Sequence, residues 1–397
     1  MDLLEDARAM QDDLVGLRRQ LHREPEIGLE LPRTQERVLA ALDGLPLEVT
    51  PGGPALSSVV AVLRGGASTG RTVLLRSDMD GLPVAEHTGL DFASTNGAMH
   101  ACGHDLHTAI LVGAARLLSS QRATLNGDVI FMFQPGEEGF DGARHMLEAG
   151  VLDAAGPQPV AAYFTHVTSS TYPSGTIAIR PGPIMAAADT LHVTVLGAGG
   201  HASTPHGARD PIVVAAEIVT SLQTVVTRQF DVFDPVVVTV GSFHGGAQHN
   251  VIPDRAYFEA TVRTFSPDHQ AAITERAVRL CHGIAEAHGL RAEVDWETLY
   301  PVTTNNAGEA EFLAETAAGL FGEQATVTMP HAHPGAEDFS RVLNAVPGAM
   351  AFLGATAPGM EPETAAFNHS PLATFDEAVL SSGAALYAKL AIDRLQH

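Results

Sequence analysis

The densest run of reactive side chains in the sequence is Met99-His100-Ala101-Cys102-Gly103-His104-Asp105-Leu106-His107. It lies between a polar loop, Ser94-Thr95-Asn96-Gly97, and the start of a predicted helix. Thiolate, imidazole and carboxylate are the groups that bind borderline transition metals, and Cys102 and His104 sit two residues apart. A free cysteine can equally be a small core residue. The run alone leaves both readings open.

A second run, Phe133-Gln134-Pro135-Gly136-Glu137-Glu138-Gly139, follows the apolar stretch Val129–Phe133. In open α/β sheets ligands bind at the carboxyl ends of strands, which is where this pair of carboxylates is expected. One carboxylate of such a pair can bind metal while the other acts as general base on an activated water. A solvated acidic turn is the plainer alternative, but a buried strand, a proline and two glycines deliver this pair to a fixed place. Two further strand ends carry histidine: His166 after Ala161–Thr165, and His369 in Phe367-Asn368-His369-Ser370-Pro371. Cys102, His104, Glu138, His166 and His369 together exceed the needs of one tetrahedral zinc. They suit two metals that share a bridging side chain and a bridging water.

Asp78 and Asp80, in Asp78-Met79-Asp80-Gly81-Leu82-Pro83, also follow a predicted strand and can orient a ligand histidine. Further on, Leu196-Gly197-Ala198-Gly199-Gly200-His201-Ala202 formally matches a dinucleotide fingerprint. Pro205 falls where the phosphate-binding helix should run, so a glycine turn presenting His201 to a ligand is the better reading. Asn250 and Arg263 are polar residues set at strand ends. An arginine there can pair with a substrate carboxylate, or lie inert on a sheet surface.

These residues need elements to hold them. Apolar positions over 2–23 recur at three- and four-residue spacing, which predicts one amphipathic helix. Strands are predicted at Ser58–Leu63, Thr72–Arg76, Val129–Phe133 and Val160–Thr165, with helices from about His104 to Leu118 and around Ala143–Ala149. This alternation predicts an α/β domain with a mixed, largely parallel sheet flanked by helices. After Pro181-Gly182-Pro183 the order becomes β-α-β-β-α-β: Thr190–Leu196, a helix from Pro211 to about Arg228, Val236–Val240, Ala256–Thr264, a helix from Pro267 to about His288, and Arg291–Trp296. That is a ferredoxin-like α+β unit. Alternation then resumes, with a helix at Ala307–Leu320, strands at Ala325–Thr328 and Met350–Leu353, and a last helix over Asp376–Leu395. The expected domains are residues 1–181 with 297–397, the catalytic dinuclear metal domain, and an inserted lid and dimerisation domain at 182–296.

Composition bounds the partners. The net charge is −23, and the basic residues are arginine except for Lys389. Such a field repels nucleic acid and anionic lipid, so neither is an expected partner. No stretch approaches the ~20 apolar residues that span a bilayer. The acidic start, Met1-Asp2-Leu3-Leu4-Glu5-Asp6, has no secretory character, and Cys102 with Cys281 cannot form a disulfide framework. A cytoplasmic protein is expected.

With these residues in view, the chain resembles the metallopeptidase family of aminoacylase, carboxypeptidase G and succinyl-diaminopimelate desuccinylase. It is most similar to the branch of hippurate hydrolase and the plant auxin-conjugate amidohydrolases. The likeness runs along nearly the whole chain: His22-Arg23-Glu24-Pro25-Glu26, DMDGLP at 78–83, MHACGHDLHTA at 99–109, FQPGEEG at 133–139, GGHASTPH at 199–206, NVIPD at 250–254, TVRTF at 261–265 and AEDFS at 336–340. The cysteine in HACGHD marks that branch. The resemblance implies a dinuclear site at Cys102, His104, Glu138, His166 and His369, with Glu137 as acid and base. It also implies that His201 reaches the active site of the partner subunit of a homodimer and stabilises the oxyanion, while Asn250 and Arg263 hold the substrate. The chain departs from relatives at Val167-Thr168-Ser169-Ser170, at Pro330-His331-Ala332-His333-Pro334 and after His369. These departures leave the metal ligands in place and concern the shape of the substrate pocket.

Residues and resemblance together predict a metallo-aminoacylase that cleaves the amide of a small-molecule N-acyl amino acid with a metal-activated water. Two divalent ions per subunit are expected, zinc by ligand type, with cobalt, manganese or nickel acceptable. A dipeptidase or carboxypeptidase would use the same machinery. A cysteine hydrolase with Cys102 as nucleophile and His104 as base would leave Glu138, His166 and His369 without a task. A metal-loaded binding dimer without turnover would leave Glu137 idle.

Overall fold

The computed structural model describes residues 2–67 and 69–396. They form two compact units. The first takes the chain up to Ile184, Thr304–His331 and the chain from Asp338; the second takes Met185–Thr303 and Ala332–Glu337. The second unit runs past residue 296 because strand Arg291–Tyr300 keeps its pairing with Ala187–Leu196 as far as Tyr300 opposite Ala188.

The first unit is built on an eight-stranded sheet in the order Leu47–Pro51, Val59–Leu63, Asp128–Gln134, Thr72–Asp78, Ala161–Thr168, Gly348–Gly354, Ile177–Ile179, Thr326–Thr328. Its four central strands pair in parallel, and antiparallel strands join on both sides, so the sheet is mixed. Thr72–Asp78, Ala161–Thr168 and Gly348–Gly354 are buried throughout. Both their faces are covered, which is why they read as continuous apolar runs rather than alternating ones. Helix His104–Ser120, buried on nearly every face, packs against Gln11–His22 and Val379–Arg394.

The single helix expected over 2–23 is two helices, Leu3–Ala9 and Gln11–His22. At Met10 the backbone leaves helical geometry, and its N–H turns back to Ala7 and Arg8. The last helix begins at Val379 rather than Asp376, since the Asp376 side chain accepts from the Ala378 N–H just ahead of it. Helix Pro32–Leu42 was not expected; its signal is a proline at the first helical position.

The second unit has the β-α-β-β-α-β order. Its strands lie as Val236–Gly245, Arg255–Thr264, Ala187–Leu196, Arg291–Tyr300, all antiparallel, with helices Pro211–Gln229 and Pro267–Ala287 packed on one face. Alternation is clear here because only one face is covered: Leu191, Val193 and Val195 are buried, and the residues between them are not. Cys281 sits in this core as a small apolar residue. Among the described residues no helix is long and apolar enough to cross a membrane.

Candidate metal centre

The carboxyl ends of three parallel strands assemble the site. Asp78 ends strand Thr72–Asp78, Glu137 and Glu138 follow Asp128–Gln134, and His166 lies near the end of Ala161–Thr168. Cys102 and His104 come from the turn that starts the buried helix. That turn needs Gly103: its φ is +90°, and a Cβ there would meet a Val167 methyl at 2.4 Å. His369 arrives from the far end of the sequence, with a left-handed φ of +72° that is unusual for a residue other than glycine.

All five residues expected to bind metal converge. Cys102, His104 and His166 form one group with ligand atoms within 4.8 Å of one another, and Cys102, Glu138 and His369 form another. Cys102 Sγ lies 3.4 Å from His166 Nε2 and 3.3 Å from His369 Nε2. His369 Nε2 is 3.1 Å from Glu138 Oε1. Glu137 joins His104 and Glu138 in a third such group.

The orientation of each imidazole suits ligation. His166 Nδ1–H donates to the Val167 carbonyl at 2.8 Å, which leaves the Nε2 lone pair facing Cys102. His104 has Nδ1 3.4 Å from Asp80 Oδ1, while Nε2 faces Asp78 and Glu138 at 3.8 and 3.9 Å. Both ring nitrogens are buried without a hydrogen bond, which leaves Nε2 available to an ion and Nδ1 directed at Asp80. Asp80 thus lies beside His104 on the Nδ1 side. It also accepts the N–H groups of Glu137 and Glu138 at 3.0 and 3.1 Å, fixing the glutamate turn. Asp78 instead accepts from His107 at 2.6 Å and from Arg76 Nη1 at 2.7 Å.

Electrostatics ask for a cation. Burial disfavours a charged imidazole at His104, but Asp78, Asp80 and Glu138 outweigh it and raise its pKa to about 10. Burial, then the charges of Glu138, Glu137 and Asp78, push the Cys102 thiol well above the usual thiol range. Without a positive ion this cysteine stays protonated, which argues against a nucleophilic role. Thiolate, imidazole and carboxylate donors arranged this way fit divalent transition metals.

Sequence reasoning did not single out Asn368, Arg76 or the role of His107. The Asn368 amide donates to the carbonyls of Cys102 and Val167 at 3.1 and 3.0 Å, and its oxygen accepts the Ser169 N–H at 2.9 Å. Arg76, wholly buried, bridges Asp78 and Asp338. The visible signal was an arginine directly after the apolar run Val73–Leu75.

The other expected residues belong to the second unit. His201 pairs with Val251 in a short two-stranded ladder, and the Asn250 carbonyl accepts the Ala202 N–H at 3.1 Å. His201 is exposed, and its Nδ1 accepts the Ser203 N–H at 3.2 Å. Arg263 is not beside them. It pairs opposite Ala188, whereas the turn with His201 follows Leu196, opposite Arg255. That separates them by about 26 Å of strand rise. Arg263 folds back on Thr261 Oγ1 and the Val262 carbonyl at 2.8 and 2.9 Å.

This fold and this convergence define a metal-dependent hydrolase of amide C–N bonds, and residues 74–393 match the model of peptidase family M20/M25/M40. The chain belongs to that family. It is 37% identical over 388 residues to an N-acetylcysteine deacetylase of Bacillus subtilis, covering 97% of each chain. It is likewise 37% identical to thermostable carboxypeptidase 1 of Saccharolobus solfataricus, covering 99% of each. Among solved structures it is similar to a dinuclear metal-binding peptidase of Bacillus subtilis, with 34% identity, a TM-score of 0.83, and 98% and 99% of the two chains covered.

Proposed function

We propose that this protein is a metallo-aminoacylase that hydrolyses N-acyl amino acids at a two-metal centre held by Cys102, His104, Glu138, His166 and His369. The observation that carries the reading is that Cys102 is common to two ligand groups, one with His104 and His166 and one with Glu138 and His369. When bound, two divalent ions supply Lewis acidity for the substrate carbonyl and lower the pKa of water. Zinc suits the donors, and cobalt, manganese or nickel are acceptable.

Glu137 takes the proton of the attacking water and passes it to the leaving amine. Asp80 holds the backbone of that glutamate in place. His201 donates to the developing oxyanion, and Asn250 and Arg263 hold the substrate. Because Arg263 pairs opposite Ala188 while the turn that leads to His201 follows Leu196 at the other end of that strand, a single copy of this unit does not present both to one small molecule. That supports a homodimer in which residues 182–296 act as lid and dimerisation domain, with His201 serving the partner's site. A cytoplasmic location, and the absence of nucleic-acid or membrane partners, complete the proposal.

The carboxypeptidase relative favours a second reading, peptide cleavage by the same residues. A panel of N-acetyl, N-benzoyl and long-chain N-acyl amino acids against dipeptides, with metal-reconstituted protein, separates the two. Turnover of dipeptides alone would displace the aminoacylase reading.

A further inference from the structure

Strands Thr72–Asp78 and Ala161–Thr168 pair in parallel only as far as Leu75 opposite Tyr163. Beyond that point side chains replace the backbone ladder. Tyr387 Oη accepts the Thr165 N–H and donates to the Arg76 carbonyl, both at 2.8 Å. One step further, His107 spans the gap: its Nε2 accepts the Val167 N–H at 2.8 Å, and its Nδ1–H donates to Asp78 Oδ1 at 2.6 Å. A backbone N–H can only donate, so the Nε2 lone pair is committed and the proton must sit on Nδ1. His107 is thus excluded as a ligand, although it stands with Asp78 and His104 in a group of ligand-type atoms.

The same Val167 peptide presents its carbonyl to His166 Nδ1–H at 2.8 Å. The His107 ring also meets the His166 ring edge-on, with centroids 4.8 Å apart. We infer that His107 is a positioning residue for the metal centre: a neutral imidazole strut from Asp78 to the Val167 amide that fixes the direction in which His166 presents Nε2 to Cys102. The inference rests on the two-metal reading above, and it assigns His107 no contact with metal or substrate.

Two substitutions separate its two bonds. In His107→Gln the amide oxygen can still accept the Val167 N–H; in His107→Asn the amide can still donate to Asp78 but does not reach Val167. Metal affinity, read by competition with a chromophoric chelator, should fall about 10–100-fold in His107→Asn, the usual effect of losing an outer partner of a ligand, and much less in His107→Gln. Equal losses in the two, or wild-type affinity in a folded His107→Asn, overturn the inference. Should neither variant fold, nuclear magnetic resonance of wild-type protein with isotope-labelled histidines decides. The His107 ring should be neutral and protonated at Nδ1, with and without added cadmium, and show no coupling to cadmium. A proton on Nε2, or coupling to cadmium, overturns it. A wild-type protein that binds no ion overturns the metal reading itself, an outcome distinct from either.

Discussion

His369 Nε2 lies 3.1 Å from Glu138 Oε1, and this contact joins the last loop of the chain to the turn after strand Asp128–Gln134. His369 holds it from a left-handed backbone conformation. Such conformations persist only where neighbours over-determine them. The neighbour here is Asn368, whose amide is tied at both ends to Cys102, Val167 and Ser169. The strain is local, and it sits where the ligands meet.

Glu137→Gln should keep its metal and lose turnover. The turn that carries the residue is fixed through backbone N–H groups that donate to Asp80, which the substitution leaves alone. Removing a general base of this kind lowers the rate by about 10²–10⁴. Metal content by elemental analysis together with kcat checks both halves, and an unchanged kcat rejects the assignment.

Chelation should abolish activity, and readdition of zinc, cobalt, manganese or nickel should restore it. A Cys102 thiol raised by burial and by carboxylate neighbours needs a cation to ionise. Cys102→Ser should therefore weaken metal binding, and it should not behave as the loss of a nucleophile rescued by nothing. Full activity in chelator-treated protein would restore the cysteine-hydrolase reading.

Arg76→Met should destabilise the first unit by about 3–5 kcal/mol, the range for breaking a buried ion pair on one side. The guanidinium bridges Asp78 at 2.7 Å and Asp338 at 2.8 Å, with no exposure at any of the three. Its loss leaves two buried carboxylates facing each other. Denaturant titration of the metal-free protein measures this, and a shift below about 1 kcal/mol, the scale of a surface pair, would contradict the bridge.

His22 makes stability fall as the solution becomes alkaline. Its ring is buried, which opposes charge, but Asp105 at 2.8 Å and Glu86 at 3.2 Å outweigh burial and raise its pKa above 6.5. The folded state then holds a proton that the unfolded chain releases near 6.5, so this contribution is complete below that pH and is lost as pH rises through the folded value. His22→Gln should flatten the alkaline slope of unfolding free energy in metal-free protein. A slope unchanged by the substitution assigns it elsewhere.

Cys102, His104, Glu138 and His166 were legible as candidates because they stand at a strand end or a helix start, where such sheets bind ligands, whereas His369, expected at a strand end, lies in the loop between strand Gly348–Gly354 and helix Val379–Arg394. Asp80 was expected beside a ligand histidine, but its bonds to the glutamate turn were not legible, since they depend on how two strand ends meet. Asn368 and His107 act through the Val167 peptide, and nothing in their local sequence says which backbone groups that strand leaves unpaired. The helix over 2–23 misled because periodicity continues across Met10 while the backbone turns there.

His201 carries the most exposed prediction. Its glycine turn lies in the second unit, its Nδ1 is engaged by Ser203, and the residue is exposed. A donor that acts on the developing oxyanion matters more in the transition state than in the ground state. His201→Ala should then lower kcat by about 10²–10³ with metal content unchanged, whereas a packing histidine would change little. Mixing inactive His201→Ala with inactive Glu137→Gln tests where it acts. Hybrid dimers would carry one site with wild-type Glu137 and a wild-type His201 from the partner, and activity should reappear. Silence despite demonstrated subunit exchange would place the histidine within its own chain or outside the reaction.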